Sequence, residues 1–369
     1  MKHFTQRVFT FTRFAADLTN MKKTVNLLLL ILGCSLSIHC NAQKRSFKVA
    51  CIGFYNIENL FDTINEPDVN DEEFTPTGAN NYTPEVYMDK LGKLSDVISD
   101  IGKDVSPDGL ALLGVSEVEN ESVMIDLINE PKLKDRNLQI VHYDSPDARG
   151  IDVGLIYNPK YFKVKSRNKL TVHIKNVDGT EHPTRDILYV SGLLDGELIH
   201  VFVNHWPSRR GGEEASAPNR SIAAGVAKHA IDSILAIDPK SKIVLMGDLN
   251  DDPVSPSVAV VLGATGDVAQ AKNGRLYNPF MSYFQNGTGT LAYNDAWNLF
   301  DQIIVSSALT NKDQSGLFFK EAKIYRREFM VNQIGRYKGY PKRTYDYNKY
   351  IGGYSDHFPT YIILLKEVK

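Results

Sequence analysis

The sequence has few cysteines, little net charge and no long apolar run. Only three of its 369 residues are cysteine, too few for the disulfide framework that holds small secreted domains together. Its 42 Lys and Arg residues nearly balance 44 Asp and Glu residues, which gives a net charge of −2. This charge excludes a bulk polycation that holds nucleic acid through net charge alone. A site for a polyanion therefore has to be a local patch.

No stretch reaches the roughly 20 consecutive apolar residues of a transmembrane helix. The most apolar run covers 25–32 and follows Met21 and two lysines. Ala42 is a small residue suited to cleavage after it. A basic start, a short apolar run and a small cleavage residue predict an export signal over 1–42, with 1–20 upstream of the true start. A buried core helix is the alternative interpretation of this run.

The predicted signal places the mature protein in the periplasm or outside the cell. Gly33 precedes Cys34 in the signal, so anchoring as a lipoprotein at Cys34 is a minority alternative. Cleavage after Ala42 leaves Cys51 as the one remaining cysteine and therefore no intramolecular disulfide. The rest of the chain, residues 46–369, reads as one domain without internal repeats or low-complexity linkers.

Apolar strands alternate with a small number of amphipathic helices. The predicted strands are 48–54, 110–115, 151–157, 187–194, 198–203, 242–246, 301–305 and 361–365. Thr83 and Pro84 predict the start of one helix, 122–129 and 220–237 predict two more, and 62–85 reads as a long acidic loop. The helices are too few for a doubly wound fold. A mixed α/β sandwich with two inner sheets and outer helices fits this order.

Polar side chains stand where several of these strands end. They are Asn56, Glu58, Glu117, Asn204, His205, Asp248 and Asn250. Each one alone is weak evidence, because Asn and Asp at strand ends are common turn formers. Together they offer carboxylates, amides and imidazole from a rigid sheet. This set suits a hard cation such as Mg²⁺ and a phosphate.

These residues belong to sequence blocks that resemble the endonuclease/exonuclease/phosphatase (DNase I-like) superfamily. The blocks are 54–60, 114–118, 149–154, 204–208, 247–250, 300–303 and 355–359. Gly-Asp-Leu-Asn at 247–250 and Ser-Asp-His-Phe-Pro at 355–359 are the most specific. The resemblance spans essentially the whole mature chain. It implies a four-layer α/β/β/α sandwich in which two mixed sheets pack face to face.

The resemblance also implies a role for each matched residue. The catalytic group consists of Asp248, Asn250, His357, Asp301 and His205. The metal group consists of Glu117, Asn56, Glu58 and Asp356. In the family pattern Asp248 orients the attacking water, His357 stands at the scissile phosphate and Asp301 orients His357. The implied cofactor is Mg²⁺, with Mn²⁺ or Ca²⁺ as alternatives.

Three further residues are expected at the phosphate or substrate, namely Asn204, Arg149 and Arg209. His205 has an alternative interpretation as a structural histidine at a strand end. The other histidines, such as His142, have no constellation around them and are expected to be surface or packing residues.

The resulting prediction is an exported, metal-dependent phosphodiester hydrolase, most simply a DNA or RNA endonuclease. The alternatives are a phosphatase or phospholipase for small or lipid phosphates, and a non-catalytic binding module on the same fold. Residues 320–350 hold nine basic, three acidic and six tyrosine residues, so they form either a polynucleotide groove or a solvated loop. Nucleic acid is the expected partner. No obligate protein partner or transmembrane anchor is expected, and the protein is expected to be a monomer.

Overall fold

A computed structural model describes residues 21–23, 45–176, 178–311 and 313–368. The predicted export signal, with Cys34 and Ala42, lies outside the described residues except for 21–23. Residues Phe47–Lys369 form one compact unit. The architecture below is that of this unit.

Seventeen strands and four helices make up this part of the chain. The strands are β1 (Ser46–Leu60), β2 (Leu110–Val118), β3 (Gln139–His142), β4 (Asp152–Tyr157), β5 (Phe162–Leu170), β6 (Ile187–Leu194), β7 (Glu197–His205), β8 (Lys242–Asp248), β9 (Ala264–Thr265), β10 (Leu276–Tyr277), β11 (Leu291–Tyr293), β12 (Ala296–Asn298), β13 (Asp301–Val305), β14 (Leu317–Ile324), β15 (Tyr345–Asp346), β16 (Lys349–Tyr350) and β17 (Thr360–Val368). The helices are α1 (Pro84–Asp100), α2 (Glu121–Ile128), α3 (Glu213–Ile237) and α4 (Met281–Gln285). Short 3-10 turns lie at Glu72–Phe74, Lys134–Arg136, Ser307–Thr310 and Glu328–Met330, and Ser257–Val261 forms a π-helical turn.

Two large sheets contain most of the strands. The six-stranded sheet has the order β14-β17-β1-β2-β4-β3, and the seven-stranded sheet has the order β5-β6-β7-β8-β13-β10-β9. Strands β1 and β2 are parallel, as are β7 and β8, whereas β4 and β13 run antiparallel to their neighbours β2 and β8. Both sheets are therefore mixed.

Strand β1 shows how the layers arise from the alternation of side chains along a strand. Ile52 and Phe54 point into the core between the two sheets, with residues such as Val203 from the other sheet. Tyr55 points to the opposite face, into a core with α1 residues such as Leu94. Helix α3 covers the outer face of the seven-stranded sheet through a third core. The predicted four-layer α/β/β/α sandwich is confirmed.

Gly114 sets how closely the sheets approach at the centre of β2. A Cβ atom at this position would lie 2.5 Å from Met246 Sδ and 3.0 Å from Val203 Cγ1. Such contacts are closer than van der Waals packing allows, so only glycine lets β2 lie this near β7 and β8. The ends of these three strands then meet at one edge.

Local signals in the sequence place some element boundaries better than others. Thr83 Oγ1 accepts a hydrogen bond from the Val86 amide and caps α1, as the sequence predicts. Helix α3 begins at Glu213, seven residues before the predicted start, because 213–219 lack the apolar spacing on which that prediction depends. Strand β5 is a charged, mostly exposed edge strand, and its polar sequence hides it from a search for apolar alternation.

Candidate active site

The candidate site lies where the two sheets share an edge. Asn56 near the end of β1 pairs in register with Ser116 of β2, and His205 at the end of β7 pairs with Asp248 of β8. Asp301 begins β13 directly opposite Asp248. Because the carboxyl ends of parallel strands meet at one edge of a sheet, polar residues from five strands converge here.

Three of the predicted site residues have a left-handed backbone. The φ angles are 52° at Glu58, 62° at Glu117 and 49° at Asn250. Residues with side chains adopt this region uncommonly, and such conformations concentrate at functional sites. The strand pairing of β1 and β2 is irregular between Asn56 and Leu60. This break in the ladder turns Glu58 and Glu117 away from regular strand positions.

Asp248 is the central carboxylate of the site. Its Oδ2 atom accepts a hydrogen bond from Asn56 Nδ2 at 3.0 Å, and its Oδ1 atom accepts one from the Asn250 amide at 2.9 Å. Burial raises the pKa of Asp248 to about 6, with a further rise from Asp301 and opposing effects from His357 and the two hydrogen bonds. The carboxylate is therefore oriented by two donors, and its pKa lies above the usual range of an aspartate.

His357 and Asp301 form a buried pair. His357 Nδ1 lies 2.7 Å from Asp301 Oδ2, and its Nε2 lies 3.9 Å from Asp248 Oδ2. Burial alone would lower the pKa of His357, but the neighbouring Asp301, together with Asp248, raises it well above its usual value. The pair therefore holds the imidazole as a cation with its Nε2 edge toward Asp248.

Two hydroxyl residues hold this pair in place. Thr290 Oγ1 accepts from the Asp301 amide at 3.4 Å, and the Thr290 carbonyl accepts from the Phe358 amide at 2.8 Å. Ser355 Oγ donates to the Asn56 carbonyl and accepts from the His357 amide. The loop that carries His357 is thereby tied to β1 and to the segment just before β11.

His205 lies between the two acidic parts of the site. Its Nε2 atom is 3.8 Å from Glu117 Oε1 and 3.7 Å from Asp248 Oδ2. Burial, followed by the charges of Arg185 and Arg149, lowers its pKa well below the usual value. A neutral imidazole here contrasts with the cationic His357. The site therefore has one neutral imidazole and one cationic imidazole.

The predicted metal residues gather around the end of β1. Glu117 Oε2 accepts from the Asn59 amide at 3.0 Å, and Asn56 Oδ1 accepts from the Glu58 amide at 2.9 Å. Glu58 is buried, and burial followed by the charge of Asp356 raises its pKa to about 7. Oxygen donors of this kind fit a hard divalent cation.

Within the described parts of the chain, two groups of side chains have possible ligand atoms within 4.8 Å of one another: Asp248 with Asp301 and His357, and His142 with Asp144 and Asp152. Glu58, Glu117 and Asp356 do not form a group this tight. That arrangement suits Mg²⁺, which takes one or two carboxylates and keeps several waters or substrate oxygens.

The predicted substrate residues have mostly internal partners. Arg209 donates to the Asn250 carbonyl and pairs with Asp251 and Asp252. Asn204 is fully buried, and its amide bonds the Met246 carbonyl and the Trp206 indole. Arg149 is half exposed beside Asp147. Of the three, Arg149 has the most accessible side chain.

Sequence reasoning missed two charged residues that support the site. Arg185 is buried, pairs with Asp147 at 2.8 Å and donates to the carbonyls of His205 and Trp206. Lys90 is buried on α1, donates to Thr344 Oγ1, and is influenced by the charges of Glu58, Asp356 and Glu117. The burial of Lys90 can be predicted from the sequence.

Lys90 occupies a position of the apolar stripe of α1, one residue before Leu91 and four before Leu94. A single lysine on such a stripe indicates a buried ammonium with acidic neighbours. Arg185 stands in the run Thr-Arg-Asp just before β6 and has no comparable pattern.

His142 also differs from its prediction as an ordinary histidine. Its side chain is buried, and Nε2 lies 3.0 Å from Asp152 Oδ2. The Ser145 amide donates to the other oxygen of Asp152. This second His–Asp pair anchors the start of the loop that carries Arg149.

Basic residues of 320–350 are dispersed. Lys323 pairs with Asp104, Arg327 with Asp100 and Arg343 with both Glu58 and Asp356. Arg326 packs over the rings of Trp297 and Phe358. Four of the nine basic residues of this segment therefore have partners within the fold. In the described part of the chain, no helix is both long and apolar enough to cross a membrane.

Solved structures with this fold include several bacterial and animal proteins. An endonuclease/exonuclease/phosphatase family protein from Bacteroides thetaiotaomicron is 14% identical, with 88% of this chain and 100% of that chain covered and a TM-score of 0.52. A protein described in the same words from Bacteroides vulgatus is 14% identical, with 86% and 98% covered and a TM-score of 0.52. D. rerio TDP2 complexed with a single-strand DNA product is 12% identical, with 86% and 99% covered and a TM-score of 0.51. At these identities the likeness is one of fold.

A search of curated proteins found no match. The sequence pattern of a known family, however, matches residues 51–366. This range includes every strand from β2 to β16 and every residue of the candidate site. The chain therefore belongs to the Endonuclease/Exonuclease/phosphatase family.

Proposed function

We propose that this protein hydrolyses phosphodiester bonds of nucleic acid with the help of a divalent metal. Members of its family are metal-dependent phosphoester hydrolases. The observation that carries the proposal is a pair of hydrogen-bonded units that face each other. Asn56 bonds Asp248 at 3.0 Å and Asp301 bonds His357 at 2.7 Å, and His357 Nε2 lies 3.9 Å from Asp248 Oδ2. It combines an oriented carboxylate with a buried cationic imidazole, as phosphoryl chemistry requires.

Each member of the set has a distinct task in the proposed reaction. Asp248 accepts a proton from the attacking water and fixes the direction of attack, with Asn56 and Asn250 holding its two oxygens. The His357 imidazolium faces the non-bridging oxygens of the phosphate and neutralises the negative charge that develops there. Asp301 keeps that imidazole charged and oriented. His205, as a neutral imidazole, donates a hydrogen bond to the phosphate.

Glu117, Glu58 and Asp356 would hold the divalent ion. When bound, such an ion supplies positive charge at the phosphate oxygens. Mg²⁺ fits best, with Mn²⁺ or Ca²⁺ as alternatives, because the donors are oxygens. Lys90 and Arg343 lie against the same carboxylates and limit their mutual repulsion.

Two features favour nucleic acid over a small or lipid phosphate as the substrate. Exposed tyrosines lie in a cleft beside Glu58 and Asp356, and aromatic rings stack well on nucleobases. D. rerio TDP2, a protein of the same fold, was solved with a single-strand DNA product. A phosphatase for small phosphates is the alternative, and a non-catalytic module is disfavoured because the whole catalytic set is present. We further propose that the mature protein is exported and monomeric.

A substrate panel tests the proposal. Purified protein would be assayed on single-stranded DNA, plasmid DNA, RNA, bis(4-nitrophenyl) phosphate and inositol phosphates, with Mg²⁺ and with excess chelator. We expect Mg²⁺-dependent cleavage of nucleic acid and of the aryl diester, with loss of both in the His357→Ala variant. Activity confined to phosphate monoesters would favour the phosphatase alternative. Full activity in chelator would contradict the metal mechanism.

A further inference from the structure

A cleft of about 780 Å³ opens directly beside the metal group. Glu58 and Asp356 line it, and Asp356 Oδ1 lies 3.9 Å from His357 Nε2. Pockets of 300–1,000 Å³ are typical of sites that bury a small ligand. A group in this cleft would therefore lie close to a phosphate held at His357.

Three chain segments form the walls of this cleft, which we call the tyrosine cleft. They are the turn at 73–80, the β11–β12 hairpin and residues 332–351. The hairpin and the last segment are joined, because Tyr340 Oη donates to Asp295 Oδ1 at 2.6 Å and accepts from the Asp295 amide at 2.8 Å. Trp297 of the hairpin makes an edge contact with Tyr340. This wall is formed before any ligand binds.

Two tyrosines of the cleft, Tyr293 and Tyr347, are largely exposed, and Tyr337 is exposed in part because its ring packs on Tyr340 and Arg336. The exposed fractions are 71% at Tyr293, 88% at Tyr347 and 41% at Tyr337. Most tyrosines of a folded protein bury their rings, so the exposed rings of Tyr293 and Tyr347 in one cleft indicate a surface for a flat ligand.

Away from the metal group, the charge of the cleft disfavours a phosphate backbone as its occupant. Apart from Glu58 and Asp356, which would hold the ion, Glu73, Asp295 and Asp346 line the cleft together with Arg336 and Arg343. Arg343 is already paired with Glu58 and Asp356. An anion would be repelled here, whereas an uncharged ring would stack without that cost.

We infer that the tyrosine cleft holds one unpaired nucleobase next to the phosphate that is cleaved. The inference rests on the proposed function and adds a requirement to it. A base can enter a cleft of this size only if it is free of its partner strand, since the faces of a paired base are covered by its neighbours. The preferred substrate is then single-stranded nucleic acid or an unpaired end, and continuous duplex is a poor substrate.

Three chromogenic diesters that share the 4-nitrophenyl leaving group test this inference. One carries thymidine, one carries 2-deoxyribose without a base, and one carries a methyl group, with the nucleoside joined through its 5′ or its 3′ oxygen. The full mature protein with Mg²⁺ should show a kcat/KM roughly 10-fold higher for a thymidine ester than for the deoxyribose ester, the size of one stacking contact. Tyr347→Ala and Tyr293→Ala should each reduce this ratio.

Phe329→Ala is the matched control. Its ring is 44% exposed, close to the value for Tyr337, but it packs on Tyr354 outside the cleft. This variant should keep the wild-type ratio, and circular dichroism should show that all variants are folded.

The outcomes separate the inference from the proposed function. Equal kcat/KM for the thymidine and deoxyribose esters, with normal metal-dependent hydrolysis, overturns the base site and leaves the hydrolase. A preference for deoxyribose over methyl without a gain from the base overturns it in favour of a sugar site. A ratio that survives both tyrosine variants also overturns it. Hydrolysis of none of the esters would refute the proposed function, and the inference with it.

Discussion

Asn56 Nδ2 and Asp248 Oδ2 are 3.0 Å apart and join the two sheets of the sandwich. Asn56 belongs to β1 of the six-stranded sheet, and Asp248 ends β8 of the seven-stranded sheet. The central carboxylate is therefore oriented by a donor from the opposite layer. Its geometry depends on how the sheets pack, including the close approach that Gly114 allows.

The hydrogen bond from Asn56 should be visible in the pH dependence of activity. The pKa of Asp248 is raised to about 6, and the Asn56 donor lowers it. Since the carboxylate is the active form, kcat/KM should rise as the pH increases through about 6. Asn56→Ala removes the donor, so the midpoint of this rise should move to higher pH. An unchanged or lower midpoint in the pH profile would contradict the role of Asn56.

Asp301→Asn should shift the decline of activity at high pH. Burial lowers the pKa of His357, and Asp301 raises it, so the variant imidazole loses its proton at lower pH. Activity should then decline at lower pH than in the wild type, and kcat should fall on the order of 10²-fold or more. Asp152→Asn is the matched control, because it changes the other buried His–Asp pair. A similar loss in both variants would indicate a structural effect.

Glu117→Gln should remove metal-dependent turnover without unfolding the protein. The carboxylate is partly exposed at the end of β2 and accepts from the Asn59 amide, a bond that the glutamine oxygen can keep. Activity at saturating substrate should fall by orders of magnitude, and more Mg²⁺ should be needed for half-maximal rate. The exposed Glu121→Gln provides a control with the same charge change. Retention of wild-type Mg²⁺ dependence would remove Glu117 from the metal group.

Arg185→Ala should destabilise the protein strongly. Its guanidinium pairs with Asp147 and donates to two backbone carbonyls while buried, and removing one partner of a buried pair costs about 3–5 kcal/mol. Arg149→Ala is the control, because Arg149 contacts the same Asp147 from a half-exposed position and should cost at most about 1 kcal/mol. Urea unfolding measures both. Equal effects would contradict a buried role for Arg185.

The N-terminus of the mature protein tests the predicted export signal. Mass spectrometry of protein from its native compartment should give a chain that begins at or near Gln43, as expected for cleavage after Ala42. A lipidated start at Cys34 would replace a free mature protein with an anchored one. A chain that begins at Met1 would contradict export.

The sequence by itself determined the strand pattern of the core and the residues at the strand ends. Strands such as β8 carry a β-branched apolar run that ends in Gly-Asp-Leu-Asn, and α1 carries its own cap in Thr83. These features depend on neighbours within a few residues along the chain, which a sequence displays directly. For the same reason the family blocks around Asp248 and His357 are visible without a structure.

Only the tertiary structure decided which charges face one another. The sequence predicts Arg209 as a free cation, yet its guanidinium forms salt bridges with Asp251 and Asp252. Arg185 carries no local signal, because its partners come from the 143–151 loop and from the end of β7. The tyrosine cleft likewise needs three segments that are far apart in sequence. Pairing between distant residues depends on which strands the fold brings together, and no local periodicity encodes that choice.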